Sequence, residues 1–278
     1  MTITYEIIVN INVARVLENI AKNLRSKYEI DVLALNYYGD PDPLQKQFNI
    51  YPAPLGGDLY GASRVAPMVN AFDYKMVFII NDIWIASEYI REIRTKVKRQ
   101  IPIVTYTPVD APHLKKEFIA PLNMGVQHAI FYTEFGRNEA LLGGLGIPSS
   151  VISHGIDQQI FHMVPRDVAR EQSGVPKDAY VVLMADRNQP RKRIDLGISF
   201  FAEWVKQTNK PDTVKLYYHG AVRDQGVDVE DVADDNGVSD RLILTSRQMT
   251  MSSMLPADKL KIMYSSADVF WKPCANEG

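Results

Sequence analysis

The stretch VVLMADRNQPRKRIDLGISFFAEWV, which runs from Val181 to Val205, indicates the kind of fold. It begins with a continuous apolar run of strand length and ends with apolar residues at helical spacing. A strand without polar alternation is typical of a parallel sheet that helices cover on both faces. Between the predicted strand and the predicted helix, which we place from about Lys192 to Gln207, lie four cations: Arg187, Arg191, Lys192 and Arg193.

Similar pairs of a strand and a helix recur on both sides of this stretch. In the first half, strands are predicted at 5–9, 30–35, 75–80, 101–106 and 128–133, with a loop rich in Pro and Gly from Tyr38 to about Ala62. In the second half, strands are predicted at 179–185, 214–220, 240–245 and 267–273. The alternation predicts an α/β protein with two Rossmann-like, doubly wound domains of parallel sheet, spanning residues 1–155 and 156–278.

Composition narrows the class of protein. The chain has 278 residues, of which 46% are hydrophobic and 23% charged, and these values are typical of globular domains. The net charge of −2 gives no general attraction to nucleic acid, so we expect no nucleic-acid partner. No apolar run reaches the length of a membrane span, and the single cysteine, Cys274, fits a reducing compartment. We expect a cytoplasmic protein and leave peripheral membrane contact and the oligomeric state open.

The four cations are unusual because a helix N-terminus carries partial positive charge and unpaired N–H groups. Arg and Lys are favourable there when an anion binds, and a diphosphate suits the bidentate grip of arginine and the point charge of lysine. A second interpretation stays open. The segment can instead be a solvated basic loop whose charges face water or pair with Asp186 and Asp195.

Several motifs occur in an order that matches a known family. VISHGIDQQIF (151–161), VVLMADRNQPRKRIDLGISFFAEW (181–204) and YSSADVFWKPCANEG (264–278) resemble the interdomain linker, the donor-phosphate segment and the paired-Glu motif of family 4 retaining glycosyltransferases. IPIVTYTPVDAP (101–112) and FYTEFGRNEALLGGLGI (131–147) are similar to the first domain of that family. The resemblance covers roughly residues 101 to 278.

The resemblance implies a GT-B architecture, in which two Rossmann-like domains face a cleft. The first domain would bind mainly the acceptor and the second mainly the nucleotide sugar. The implied activity is transfer of a sugar from a nucleotide-diphosphate sugar to a hydroxyl of a glycan, lipid or small molecule, with retention of configuration. An inactive nucleotide-sugar-binding module and a nucleotide-sugar epimerase on the same architecture are the alternatives.

The resemblance also implies roles for residues of the second domain. Arg187 and Lys192, with Arg191 beside them, would bind the donor diphosphate, and Glu277 would lie close to the transferred sugar. The loops that carry Gly220, Arg247 and Met249 would face the nucleotide base, and the interdomain linker would contain His154, Gly155 and Asp157. No metal or other cofactor is implied, because members of this fold class generally do not depend on a bound divalent ion.

Polar and aromatic residues after two strands of the first domain are candidates for the acceptor or sugar side. Asp110 follows one strand and either approaches substrate or stabilises a turn. Asp82 and Trp84 follow another, and Trp84 either stacks on a sugar ring or packs at a helix start. The sequence D-P-D at residues 40–42 is flanked by proline and is read as a turn. The five histidines lack the spacing of a zinc site.

The chain differs from the family in two places. NINVARV, residues 10–16, lacks the glycine-rich loop that often follows the first strand in the family. The sequence ends one residue after Glu277, before the second Glu of the paired motif and the final helix. We therefore expect the second domain to be C-terminally incomplete in this sequence.

Overall fold

The structure is a computed structural model that describes residues 4–9, 14–35, 37, 39, 48–54, 57–209, 211–249 and 255–275. For residues 4–9, 14, 15, 17 and 18 only the backbone is described. The chain divides into two compact units, one that extends to His154 and one that begins at Gly155.

The first unit is a parallel sheet of seven strands among the described residues. The strands are β1 (Thr4–Val9), β2 (Glu29–Ala34), β3 (Asn49–Pro52), β4 (Met76–Ile80), β5 (Ile103–Thr107), β6 (His128–Phe131) and β7 (Ser149–Val151). Their order in the sheet is β3-β2-β1-β4-β5-β6-β7. The helices are α1 (Ala14–Leu24), α2 (Ala62–Ala71), α3 (Ile83–Lys96), α4 (Lys116–Gly125) and α5 (Glu134–Leu142).

The core of this unit lies on both faces of its sheet. Along β4, Val77 and Ile79 pack into one apolar cluster, whereas Phe78 and Ile80 pack into a second cluster on the opposite face. A strand buried on both sides needs apolar residues at every position, and the sequence supplies them. The chain runs from β1 outward in one direction and then from β4 outward in the other, which is the doubly wound arrangement.

The second unit is a smaller parallel sheet with the order β10-β9-β8-β11. Its strands are β8 (Tyr180–Ala185), β9 (Val214–His219), β10 (Leu242–Leu244) and β11 (Val269–Phe270). Its helices are α6 (Arg166–Ser173), α7 (Ile194–Gln207), α8 (Val229–Asp235) and α9 (Ala257–Ser266), and a 3₁₀ turn spans Pro190–Lys192. Apolar clusters cover both faces of this sheet as well.

The predicted class is confirmed, since the chain is an α/β protein with two parallel sheets. Two strands are absent from the prediction. β3 lies inside the predicted loop from Tyr38 to Ala62, and β7 begins the predicted linker region. Each strand has only three or four residues, few of which are aliphatic. Neither therefore shows the apolar run or the alternation of apolar and polar residues that predicts a strand. No helix in the described ranges is long and apolar enough to cross a membrane.

Candidate functional site

The candidate site lies at the carboxyl edge of the second sheet, where the order of strands reverses. From β8 the sheet continues to β9 and β10 on one side and to β11 on the other. The loops that follow β8 and β11 are therefore neighbours at a topological switch point, the place where open α/β sheets bind ligands. Two hydrogen bonds fix the second loop, because Trp271 N–H donates to Leu183 O at 2.8 Å and Ala275 N–H donates to Arg191 O at 2.9 Å.

Asp186, the first residue after β8, is the centre of a charge network. Its Oδ1 accepts a hydrogen bond from the backbone N–H of Arg187 at 3.1 Å and lies 3.0 Å from Nζ of Lys192. Its Oδ2 lies 3.6 Å from Nζ of Lys272, which follows β11. The side chain of Lys192 is only 6% exposed, whereas that of Lys272 is 37% exposed. One carboxylate thus lies within ion-pair distance of a buried and an exposed lysine, and the contact with Lys272 is too long for a hydrogen bond.

The guanidinium of Arg187 forms a second ion pair. Its Nε donates to Oδ2 of Asp224 at 3.0 Å, and Asp224 belongs to the loop that follows β9. Asp224 is largely buried, while the Arg187 side chain is 36% exposed. The aspartate therefore orients Arg187, whose side chain remains partly exposed.

Arg191 and Arg193 have different surroundings. Arg191 is exposed, and its Nη1 lies 3.9 Å from Sγ of Cys274. Arg193 adopts a left-handed conformation with φ of 49°, and its guanidinium makes two hydrogen bonds to Asp195 at 3.2 and 3.0 Å. These bonds hold the pKa of the Asp195 carboxyl below its usual range.

The predicted start of α7 at about Lys192 is two residues early. The backbone of Arg193 turns into the left-handed region after the 3₁₀ turn, and α7 begins at Ile194. The first turn of α7 then contains Asp195, whose negative charge suits a helix N-terminus. Lys192 pairs with Asp186, and Arg193 pairs with Asp195, as in the second interpretation of the sequence. Arg187 pairs with Asp224, which that interpretation does not include.

Asn188 joins the loop after β8 to the loop after β9. It is fully buried, and its Nδ2 donates to the carbonyl oxygens of Ala221, Val222 and Val227 at 2.7–3.1 Å. Its Oδ1 accepts from Val227 N–H at 3.1 Å. A buried amide that is bonded at both ends fixes the distance between two loops, so the position of Arg187 and that of Asp224 are set together.

The residues predicted to face the nucleotide base lie on the same edge of the second sheet. Gly220 follows β9, and a Cβ atom there would lie 2.4 Å from the backbone oxygen of Asp186. Arg247 and Met249 follow β10, and the exposed guanidinium of Arg247 pairs with Glu230 at 2.7 Å. The structure thus brings these three residues to the edge that carries Arg187, Arg191 and Lys192.

Asp82, Trp84 and Asp110 lie at the carboxyl edge of the first sheet. Asp82 precedes α3 at its N-cap position, and its side chain makes no capping hydrogen bond. Trp84 stands in the first turn of α3, exposed to solvent, with its ring edge-on to that of Tyr60 at 5.0 Å. Asp110 is exposed in the segment that follows β5. The ring of Trp84 therefore packs at the helix start and is also accessible from solvent, so contact with a sugar stays a prediction.

The linker residues lie where the two units meet in sequence. The imidazole of His154 packs against Tyr132, with ring centroids 4.1 Å apart, and against Tyr106 at 5.6 Å. Burial lowers the pKa of His154 and raises that of Tyr132. Asp157 accepts a hydrogen bond from Gln159 N–H at 2.9 Å, which closes a turn. A Cβ atom at Gly155 would contact nothing within 4 Å.

Glu277 lies outside the described residues, as do the D-P-D residues 40–42. Within the part of the chain that is described, no group of three or more His, Cys, Asp and Glu side chains has the arrangement of a metal site.

Lys272, Asp224 and Asn188 are the site residues that sequence reasoning missed. Lys272 lies near the end of the strand predicted at 267–273, which is a usable signal. However, its proximity to Asp186 depends on β11 lying beside β8, and strand order cannot be read from hydrophobic periodicity. Asp224 and Asn188 bond to groups that are more than thirty residues away in sequence, Asp224 to Arg187 and Asn188 to Ala221.

The chain is similar to solved structures in fold, but comparisons of sequence find no match. No family model matches the chain, and no curated protein matches it. Sucrose-phosphate synthase from Thermosynechococcus elongatus is similar with a TM-score of 0.72 and 15% identity, over 98% of this chain and 76% of that protein. HepE from Anabaena, solved with UDP and glucose, has a TM-score of 0.67 and 14% identity, over 96% and 73%.

A third neighbour is WaaG, a glycosyltransferase involved in lipopolysaccharide biosynthesis, with a TM-score of 0.66 and 12% identity, over 98% of this chain and 75% of that protein. All three similarities extend over nearly the whole chain, and at such low sequence identity they show the fold alone. The chain has the α/β fold of the GT-B glycosyltransferases.

Proposed function

We propose that the protein transfers a sugar from a nucleotide-diphosphate sugar to a hydroxyl group of a glycan, lipid or small molecule. The observation that carries the proposal is the cluster of cations at the switch point of the second sheet. Structural neighbours of the same fold support it, since HepE was solved with UDP and with UDP-glucose.

The charge balance of the cluster fits a diphosphate. Five cations stand in the loops after β8 and β11 and at the start of α7, namely Arg187, Arg191, Lys192, Arg193 and Lys272. Three carboxylates pair with four of them: Asp186, Asp195 and Asp224. The five cations therefore exceed these three carboxylates by two charges. A dianionic group bound there would neutralise the cluster.

The same cations suit the chemistry of transfer. When the bond between the sugar and the diphosphate breaks, the leaving diphosphate gains negative charge. Cations that are already held in place by Asp186 and Asp224 stabilise that charge without reorganising during the reaction. We propose that they take this role without a metal ion, so that an excess of EDTA should leave turnover unchanged.

Retention of configuration and the catalytic carboxylates rest on the family resemblance. We assign Glu277 to the neighbourhood of the transferred sugar and Asp110 to the sugar or acceptor. Asp82 and Trp84, at the edge of the first sheet, are proposed to contact the acceptor. The anomeric configuration of the first product formed from an α-linked donor, followed by NMR, tests retention directly.

A thermal-shift screen with UDP, GDP, ADP and their common sugar conjugates tests the proposed function. A ligand present at about 100 times its dissociation constant stabilises the folded state by about 2.7 kcal/mol. We expect one nucleotide to raise the melting temperature and the matching nucleoside, which lacks phosphate, to have little effect. If none of the nucleotides shifts the melting temperature of the folded chain, the proposal is wrong.

A further inference from the structure

Lys272, in the loop that follows β11, is a cation that neither the motifs nor the structural neighbours assign to a role. We propose that Lys272 binds the phosphates of the nucleotide and that Asp186 is the positioning residue that holds Lys272 and Lys192 together for this purpose. The inference rests on the proposed function, because it names a further contact within the same site.

The position of Lys272 is fixed by the backbone on both sides. Trp271 N–H donates to Leu183 O in β8, and Ala275 N–H donates to Arg191 O in the loop after β8. These bonds attach the segment around Lys272 to the strand and to the loop that carry the other cations. Because β8 and β11 are adjacent at the switch point, Lys272 lies where a bound ligand is expected.

The two lysines at Asp186 differ in accessibility. Lys192 contacts Oδ1 at 3.0 Å with 6% of its side chain exposed, whereas Lys272 contacts Oδ2 at 3.6 Å with 37% exposed. The two lysines and the one carboxylate together carry one net positive charge. The side chain of Lys272 is the more exposed of the two, and an ammonium group can donate to a phosphate oxygen while it remains close to a carboxylate.

Asp186 sets the positions of the ammonium groups of Lys192 and Lys272. Its carboxylate is largely buried and lies close to two lysines, one in the segment after β8 and one in the loop after β11. Without the carboxylate, two adjacent ammonium groups would repel each other and move apart. The aspartate therefore acts through the lysines and needs no contact of its own with the phosphates.

Isothermal titration with UDP, GDP, ADP and inorganic pyrophosphate tests the role of Lys272. The variant Lys272→Met keeps an unbranched stem and removes the charge, and Lys272→Arg keeps the charge. Lys177→Met is the matched control, since Lys177 precedes β8 at the opposite edge of the sheet and is 67% exposed. We expect Lys272→Met to weaken nucleotide and pyrophosphate binding about tenfold or more, Lys272→Arg to restore most of it and Lys177→Met to change nothing.

The outcomes separate this inference from the proposed function. If the wild-type chain binds a nucleotide and Lys272→Met binds it equally well, Lys272 is not a phosphate contact and the proposed function stands. If the wild-type chain is folded and binds none of the four probes, the proposed function itself fails. Urea unfolding of each variant shows whether its folded state is intact.

Asp186→Asn tests the positioning role of Asp186. Positioning and net charge predict opposite changes in pyrophosphate affinity for this variant. The substitution makes the cluster more positive by one charge, so a purely electrostatic site would bind pyrophosphate more tightly. We expect Asp186→Asn to bind pyrophosphate several-fold more weakly, because its lysines are no longer held together. Tighter binding by a folded Asp186→Asn variant would overturn the assignment.

Discussion

Lys192 is more deeply buried than any other cation in the loop after β8, and its charge is matched by Asp186. Lys192→Met should lower the free energy of unfolding by about 1–3 kcal/mol, because the largely buried carboxylate loses its nearer partner and keeps only Lys272. Urea denaturation measures the change.

The double variant Lys192→Met/Asp186→Asn should recover part of the loss, since it removes the carboxylate charge that has lost its nearer partner. Lys177→Met, which removes an exposed lysine, should not change the unfolding midpoint. Equal stability of Lys192→Met and the wild-type chain would show that the pair with Asp186 contributes nothing to folding.

His219, the last residue of β9, makes stability depend on pH. Burial lowers the pKa of its imidazole below the ordinary value, and one ring nitrogen lies 3.0 Å from Thr245 Oγ1. The unfolded chain therefore takes up a proton at a higher pH than the folded chain does. The stability from neutral His219 is complete well above the unfolded pKa of 6.5 and is lost progressively as the pH falls through and below that value.

His219→Gln should make the melting temperature of the second unit less steeply dependent on pH in this window. His162→Gln, which alters an exposed histidine in the same unit, is the variant for comparison. A slope that is identical in His219→Gln and wild type would contradict the assignment of this pH dependence to His219.

Single residues show what the sequence could predict about the site. The cations from Arg187 to Arg193 were identifiable, because charge between a buried strand and a helix is uncommon. Asp186 and Asp195 were identifiable as partners because they are neighbours in sequence. Asp224 was not, because the ion pair with Arg187 depends on how the loop after β9 folds back on the loop after β8.

At the scale of elements, the loops after β8 and β9 pack too closely for a side chain at Gly220. A Cβ atom there would lie 2.4 Å from Asp186 O and 2.4 Å from the hydroxyl of Tyr218. Gly220→Ala should therefore displace the loop that carries Asp186, lower the free energy of unfolding by about 1–3 kcal/mol and weaken nucleotide binding.

Gly155→Ala is the matched control for this prediction, since a Cβ atom at Gly155 has open space around it. Urea denaturation and the titration with UDP, GDP and ADP measure the two effects. An unchanged midpoint and unchanged affinity in Gly220→Ala would show that the two loops move apart at no cost.

Elements were predictable where the apolar pattern was long. β4 and β8 are continuous apolar strands, and α7 was predicted with its end at Gln207. Its start was not predictable, because the left-handed conformation of Arg193 has no signature in a residue type that rarely adopts it. β3 and β7 are sheet strands through pairing with β2 and β6, a tertiary cause that the local sequence does not encode.

At the scale of the whole molecule, periodicity predicts parallel sheets but does not predict which strands are neighbours. The order β10-β9-β8-β11 places the last described strand beside the first strand of its sheet. The pairing of β11 with β8 brings Lys272 close to Asp186, although the two residues are more than eighty positions apart in sequence. The charge of the site therefore depends on completing the second sheet, and a ligand held there should stabilise that sheet as a whole.

Hydrogen exchange measured by mass spectrometry tests this dependence. A saturating concentration of the nucleotide found in the thermal-shift screen should slow exchange in the loops after β8, β9 and β11, because a ligand that binds only the folded state suppresses local opening. Peptides from the first unit should change less than these loops. The matching nucleoside should give weaker protection of the loop around Asp186, and Arg187→Ala should reduce the effect of the nucleotide. Protection confined to the loops after β4 and β5 would place the phosphates on the first sheet and would contradict the assignment of the cation cluster.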